Sequence, residues 1–251
     1  MNAEIQVWVV NAVLVFCRIG ACLMLLPGIS GNRLPMQVRL FFGVALSLAL
    51  LPVVEPALAR AAPPSTLADL LRAICSELAA GAIIGLLARI FFLAFQGLLA
   101  VVSQVIGFSS MIGSVLDDGQ PLPEIATLIS LVAVILMFVS GLHWQLLRGL
   151  VDSYTQVPPG SWLGAGRMLT AVTDQLTATF IMALRITSPF FIYGVIVNFA
   201  IGLTNKLVPQ IPVYFISTPF VLAGGMILLY FIVTEMLEAF LDAFAVWVRN
   251  M

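Results

Sequence analysis

The sequence is short of charge. Of 251 residues only 9% are Asp, Glu, Lys or Arg, and 61% are hydrophobic. Soluble globular domains carry about 25% charged and roughly 45–50% apolar residues. A chain of this length needs a polar shell to face water, and this one cannot build it. An ordinary soluble domain is therefore excluded, and most of the surface must face lipid or other protein chains. The net charge of −1 gives no basis for binding nucleic acid or an acidic ligand.

Residues that carry chemistry are equally scarce. His143 is the single histidine. It lies beside Trp144 at the polar end of an apolar segment, where an interfacial anchor is the expected role. Cys17, Cys22 and Cys75 form no CxxC pair and read as small packing residues. A lone histidine with no cysteine or acid cluster argues against a zinc site and against a nucleophilic triad. The GxxxxGK(S/T), HExxH and GxSxG patterns are missing. No enzyme class, metal or cofactor has positive support. The opening MNAEIQVWVV contains Glu4 and lacks a basic stretch, so residues 1–27 read as a retained first helix rather than a secretory signal.

What the sequence does hold is apolar residues in long runs. They predict an all-α, polytopic membrane protein, treated as one domain, 1–251. Six segments can be drawn. The first runs from Ile5 to Leu26, and the second from Val38 to Leu51. Pro56, Pro63 and Pro64 then argue against continuous helix from Val53 to Pro64. The third, Leu67 to about Ile106, exceeds the ~20 residues of one straight span. It is expected to have an amphipathic lead-in carrying Asp69, Arg72 and Glu77, followed by a break or a steep tilt. Gly81, Gly85, Ala88 and Gly97 offer small residues for close helix packing. The fourth, Ile125 to Leu147, is uncharged and is the cleanest candidate span. A polar stretch from Arg148 to Asp174 follows. The fifth runs from Leu176 to Leu203 and contains Pro189. The sixth runs from Ile211 to Thr234, and Glu235, Glu238 and Asp242 share one helix face just beyond it.

Six spans put Arg33, Arg39 and Lys206 on one side. Arg60, Arg72, Arg148, Arg167 and Arg249 fall on the other, which leans cytoplasmic. The bias is small, a hint that the segments are not all conventional spans. Arg18, Arg89 and Arg185 sit inside apolar segments, where a charge at the bilayer centre costs roughly 2.5–3.5 kcal/mol on insertion scales. Each must therefore face protein, water or a partner. Two readings stand: an arginine that binds a solute or lines an ion path, or a clamp between helices on carbonyls or an acid such as Glu77. Residues 106–124, IGFSSMIGSVLDDGQPLPE, are rich in Gly and Ser yet keep Phe108, Met111 and Ile112. Such backbone at membrane depth must be buried in protein or line a water path. The segment reads either as a re-entrant loop that closes a passage or as an ordinary interhelical loop.

Across nearly its whole length the chain resembles the FliR family of the flagellar protein export apparatus. Arg18, Pro27, Pro35, Arg39 and Pro52 in RIGACLMLLPGISGNRLPMQVRLFFGVALSLALLP resemble the family's opening pattern. Glu77, Gly81, Gly85, Gly97, Gln104 and Gly107 resemble its centre, and HWQLLRGLVDSYTQVPPG its middle loop. Pro189, Asn198, Gly202, Lys206, Pro209-Gln210 and Pro219 resemble its closing pattern. The chain departs from the family at Lys206, where arginine is usual, at Pro212, where asparagine is usual, and at Asp118-Gly119, where Asp-Pro is common.

The resemblance implies an inner-membrane subunit of the flagellar basal body that is not an enzyme. It would assemble with FliP-like and FliQ-like subunits into a conical export gate of tilted, kinked hairpins, with an FlhB-like subunit associated. Unfolded flagellar proteins would pass through it, driven by partners and the proton-motive force. Residues 1–175 would be the FliP-like part and 176–251 a FliQ-like hairpin. The loop 106–124 would plug the closed channel, with Gly107, Phe108, Ser109, Ser110, Met111, Ile112 and Gly113 forming the seal. Arg18, Glu77, Arg89 and Arg185 would be buried structural charges. The equivalent subunit of a virulence secretion system is an alternative, and a secondary transporter for a small anion is a further one.

Overall fold

The structure is a computed structural model describing residues 3–29, 34–59, 66–108, 124–161 and 164–249. Among the described residues there are seven α-helices and no strand. They are α1 (Ala3–Leu25), α2 (Met36–Leu58), α3 (Leu67–Val105), α4 (Glu124–Val139), α5 (Leu142–Gln156), α6 (Ala165–Leu207) and α7 (Val213–Arg249). Five of them, α1, α2, α3, α6 and α7, are long and apolar enough to cross a membrane, and the bent pair α4–α5 makes a sixth if counted as one span. The protein is thus an all-α, multi-pass membrane protein.

The chain forms two compact units. The first comprises Met1–Phe92, Phe138–Thr177 and Ala245–Met251, and the second Leu93–Met137 and Ala178–Phe244. In the first unit α1 packs on α2, and α2 on α5. The α1–α2 contact is close because Gly43 faces Phe16 and the Gly20 Cα. The buried stripe of α2 is Gly43, Ser47, Leu51, Val54 and Leu58, the three-and-four spacing of one helix face. Ser47 returns its hydroxyl to the Gly43 carbonyl at 2.6 Å, so its polarity is absorbed locally. In the second unit Phe95 of α3 stacks on Phe240 of α7, with centroids 4.2 Å apart.

Hydropathy alone placed several helix boundaries wrongly. α2 runs through Pro52 and Pro56 to Leu58, so Val53–Leu58, expected outside a continuous helix, is helical. Both prolines lie on the exposed side, four residues apart. Membrane helices tolerate such prolines where neighbouring helices, Ser or Thr side chains, ordered water or local helix adjustments re-satisfy the backbone groups they free. α3 is one uninterrupted helix of 39 residues, with no break. Its start is fixed by a capping box: the Thr66 hydroxyl accepts from the Asp69 N–H at 3.1 Å, and the Asp69 carboxylate accepts from the Thr66 N–H at 3.2 Å.

The expected fourth span is in fact broken. α4 and α5 meet at a 69° bend, where Gly141 adopts φ +71. Glycine takes that left-handed conformation without the Cβ penalty of other residues. α5 is amphipathic, burying Leu142, Leu146, Gly149, Leu150, Ser153 and Tyr154 and exposing Trp144, Arg148 and Asp152. The polar stretch expected over 148–174 is therefore largely helix, and α6 starts at Ala165 rather than near Leu176.

Candidate functional site

The densest polar cluster is in the first unit. α1 buries Leu14, Val15, Arg18, Ile19, Cys22 and Leu23, one stripe at helical spacing. The stripe is apolar except for Arg18. α3 meets it through glycines. A Cβ added at Gly81 would land on the Arg18 carbonyl oxygen, and one at Gly85 would stand 2.6 Å from the Cys22 carbonyl. This close approach brings Glu77, one turn before Gly81, within reach of the guanidinium.

Arg18 Nε donates to Glu77 Oε2 at 2.7 Å, and Nη2 donates to Oε1 at 2.9 Å. The fork is bidentate and charge-assisted at both bonds. Nη1 donates to Ser153 Oγ at 3.2 Å, and Nη2 also donates to the Val157 carbonyl at 3.0 Å. The guanidinium lies 3.9 Å above the Tyr154 ring centroid, a cation–π contact. Glu77 also accepts a bond from the Gly160 N–H. Both charged side chains are 0% exposed. Val157 caps the C-terminus of α5, where carbonyls lack helical partners and a cation is favoured. The cluster thus ties α1, α3 and the end of α5 to one point.

Arg89 and Arg185 are placed differently. Both are exposed, and neither forms an ion pair among the described residues. Their exposure is that of this chain alone: apolar neighbours in sequence fix an arginine's depth along a helix, not the face it occupies. At Gly97 an added Cβ would meet nothing within 4 Å, so no helix packs closely against it among the described residues.

In the second unit α3 ends against α6 and α7. Ile106 donates to Val102 O at 2.9 Å, and Gly107 to Gln104 O at 3.0 Å. Gly107 then turns the chain out of the helix with φ +84. Val105 faces Gly194 of α6, and Ile106 faces Gly225 of α7. The Tyr193 hydroxyl donates to Val221 O at 2.6 Å, cross-tying α6 to α7. Of the expected sealing residues, Gly107 and Phe108 are described here; Ser109, Ser110, Met111, Ile112 and Gly113 lie outside the described residues.

Asn198, Gly202 and Lys206 lie on α6 at intervals of four, sharing one face, and all three are exposed. Asn198 Nδ2 donates to Gly194 O at 2.8 Å. Pro209 and Gln210 form the exposed turn before α7. His143 sits at the α4–α5 bend, with the Phe138 and Trp144 rings 5.2 and 5.4 Å away.

Sequence reasoning did not single out Ser153, Tyr154 or Val157 as partners of Arg18, Gly160 as a partner of Glu77, nor Gly194 and Gly225. Apart from the resemblance, which covers the first four, the visible signal for Ser153 and Tyr154 was the amphipathic spacing of α5. For the two glycines it was their place as small residues within apolar runs, a mark of close backbone approach.

The profile of the bacterial export proteins, family 1, matches residues 9–246. The chain is similar to the flagellar biosynthetic protein FliR of Caulobacter vibrioides, 27% identical over 91% of each chain. It is similar to the protein of that name from Bacillus subtilis, 24% identical over 95% of this chain and 92% of the other. It is also similar to the Escherichia coli protein of that name, 23% identical over 84% and 80%.

Proposed function

The chain belongs to the bacterial export proteins, family 1, and from that premise we propose that it is a FliR-type subunit of a flagellar protein export apparatus. The observation that carries the reading is the family match over residues 9–246, on a chain whose helices are long and apolar enough to span a membrane. The full-length similarity to flagellar relatives favours the flagellar over the virulence system. The subunit builds an inner-membrane gate with FliP-like and FliQ-like partners, residues 1–175 forming the FliP-like part and 176–251 the FliQ-like hairpin. An FlhB-like subunit associates with it, and unfolded flagellar subunits are the cargo.

In this reading Arg18 and Glu77 are a clamp. Four hydrogen bonds from Arg18 go to groups of its own chain, which supports a fastener rather than a solute site. The segment from Gly107 to Gly113 seals the resting channel. Phe108, Met111 and Ile112 are apolar, and a dry apolar constriction stops ions by dewetting. A passing polypeptide displaces it. Asn198, Gly202 and Lys206 lie on an exposed face suited to partner contact.

Co-expression with FliP-like and FliQ-like partners, followed by native mass spectrometry, tests the assembly. A stable mixed complex is expected, with little stable protein when the chain is expressed alone. A well-behaved monomer or homodimer that ignores those partners would overturn it. Deleting residues 107–113 tests the seal, since cells carrying the assembled gate should then leak ions. Unchanged conductance would remove the sealing role.

A further inference from the structure

The hairpin of α6 and α7 carries its charges at a revealing interval. Between Arg185 and Glu235 the only Asp, Glu, Lys or Arg is Lys206, beside the turn. Arg185 lies 22 positions before the end of α6 at Leu207, and Glu235 lies 22 positions after the start of α7 at Val213. That is about 33 Å of helix on each arm, close to the ~30 Å of a hydrocarbon core. Two helices leaving one turn thus run equally far before charge resumes.

The charges also share faces with the apolar side chains. On α6, Arg185, Ile192, Ile196, Phe199, Leu203 and Lys206 form one stripe at helical spacing, and all six are exposed. The stripe begins and ends on a cation. On α7, one exposed face carries Phe220, Ile227 and Phe231. The same face continues as Glu235, Glu238 and Asp242, also exposed, so it changes from apolar to acidic within about one turn.

Donors between these charges bond to their own helices. Ser188 donates to Arg185 O, Asn198 to Gly194 O and Thr204 to Ala200 O, each at 2.8 Å. Thr218 donates to Tyr214 O at 2.7 Å. Hydrocarbon offers such groups no other partner. Tyr214 and Tyr230, both exposed, stand towards the two ends of the band, about 24 Å apart along α7. Tyrosine is enriched at membrane–water interfaces, where its ring is in the apolar layer and its hydroxyl is wet.

We propose that this stripe of α6 and this face of α7 are covered by the acyl chains of the bilayer, whose boundaries cross the hairpin at Lys206 and at Arg185 with Glu235. Ile181 and the acidic end of α7 then leave the hydrocarbon on the same side, and the three carboxylates stand in water. A partner protein has no fixed thickness, so it does not account for apolar arms of equal length; a bilayer does. Hydropathy alone counts Ile181 within a span that starts at Leu176.

Spin labels test the depth. Ile196→Cys and Ile227→Cys lie inside the band, and Ile181→Cys and Asp242→Cys beyond it. The full-length background carries Cys17→Ala and Cys75→Ala and keeps the buried Cys22. The chain is purified with its partners and placed in lipid nanodiscs. Collisions with oxygen, which concentrates among acyl chains, and with a nickel chelate, which stays in water, report depth. On each helix the two positions are 15 residues apart, about 22 Å along the axis. At tilts of roughly 0–40° the labels should differ in depth by about 17–22 Å. Oxygen should dominate at Ile196 and Ile227, and the chelate at Ile181 and Asp242. Inner labels reached by neither reagent would mean a protein-covered face and would overturn the proposal. Inner labels reached by the chelate, or an outer label as deep as its inner neighbour, would overturn it too.

The unsubstituted chain gives a second test should a cysteine variant fail to fold. A water-soluble carbodiimide with an added amine should modify Glu235, Glu238 and Asp242 in the nanodisc complex, read by mass spectrometry. Three unmodified carboxylates would overturn the proposal. Failure to assemble with partners would remove the function proposed above and not this boundary, which the same labels then report, by the same criteria, on the chain alone in nanodiscs.

Discussion

Replacing Glu77 with leucine should be among the most damaging single changes in the first unit. The substitution leaves the Arg18 guanidinium 0% exposed and removes the acceptors of its two shortest bonds, at 2.7 and 2.9 Å. Each hydrogen bond to a charged group contributes about 1.5–3 kcal/mol. Breaking a buried ion pair by deleting one partner costs about 3–5 kcal/mol, which agrees with the loss of two such bonds. At 1.4 kcal/mol per decade, the folded-to-unfolded ratio falls by roughly two to three and a half orders of magnitude. For a chain of this size that is a drop of roughly 6–20 °C in the unfolding midpoint.

Removing both charges, Arg18→Leu with Glu77→Leu, should be less harmful than Glu77→Leu alone. No charge is then stranded. The groups left short of a partner are the Val157 carbonyl, in a half-buried residue, and the Gly160 N–H, in an exposed one. The assay is thermal unfolding of the purified complex in detergent for the wild type, both singles and the double, read as a double-mutant cycle. A Glu77→Leu variant that melts with the wild type would refute the reasoning. So would a double variant whose loss equals the two single losses taken together, because that leaves no coupling between the charges.

The remaining expectations follow from contacts on single helices. Gly81→Ala puts a methyl on the Arg18 carbonyl and should destabilise by about 1–3 kcal/mol, as overpacking does; Gly97→Ala, in open space, should raise the melting midpoint slightly or leave it unchanged. Arg89→Leu and Arg185→Leu should each leave the chain's own stability within about 0.5 kcal/mol, as changes at exposed sites do. A loss comparable to that of Glu77→Leu would show that either arginine is buried against its own chain. Gly141→Ala forces a side chain into the left-handed region at a cost of about 1–2 kcal/mol. It should lower the melting midpoint and alter the exposure of Trp144 fluorescence to quencher, and an unchanged spectrum and midpoint would argue that the bend does not depend on this glycine.

The sequence showed that the protein is helical and lives in a membrane because composition decides that, and composition needs no geometry. It showed Arg18 and Glu77 as polar residues in apolar surroundings, and Gly81 with Gly85 as a close-packing pair. It could not show that Arg18 meets Glu77 and Gly81, or that Gly85 meets Cys22. Arg18 and Arg89 look alike in hydropathy, yet one is buried in a fork of hydrogen bonds and the other is exposed. The difference is the helix face, which a uniformly apolar run does not encode. The same uniformity hid the bend at Gly141. Ser140-Gly141 is a turn signal, but apolar residues on both sides outweighed it in a hydropathy reading. The errors at Pro52 and Pro56 went the other way. Proline rules drawn from helices in water ended α2 too early: a membrane helix continues through a proline when the groups it frees are re-satisfied by neighbours or by local adjustment of the helix.

Helix length carries the reasoning one step further. α6 has 43 residues, about 65 Å of helix at 1.5 Å per residue. A hydrocarbon core is about 30 Å thick, so holding all of α6 inside it would need a tilt of more than 60°. Membrane helices tilt by roughly 0–40°, so part of α6 must leave the hydrocarbon. Its exposed apolar side chains nonetheless run almost from end to end, from Leu169 at 66% exposure to Leu207 at 73%, with Phe180, Ile192 and Phe199 between them. Leu169 and Leu207 are 38 positions apart, about 57 Å along the axis, and lipid tails cannot cover both. At least one end of this apolar face must be covered by protein or stand in water, and water is the unfavourable option for a row of leucines and phenylalanines. A subunit that completes its own surface with partner helices resolves that conflict, and a free-standing carrier of this sequence does not.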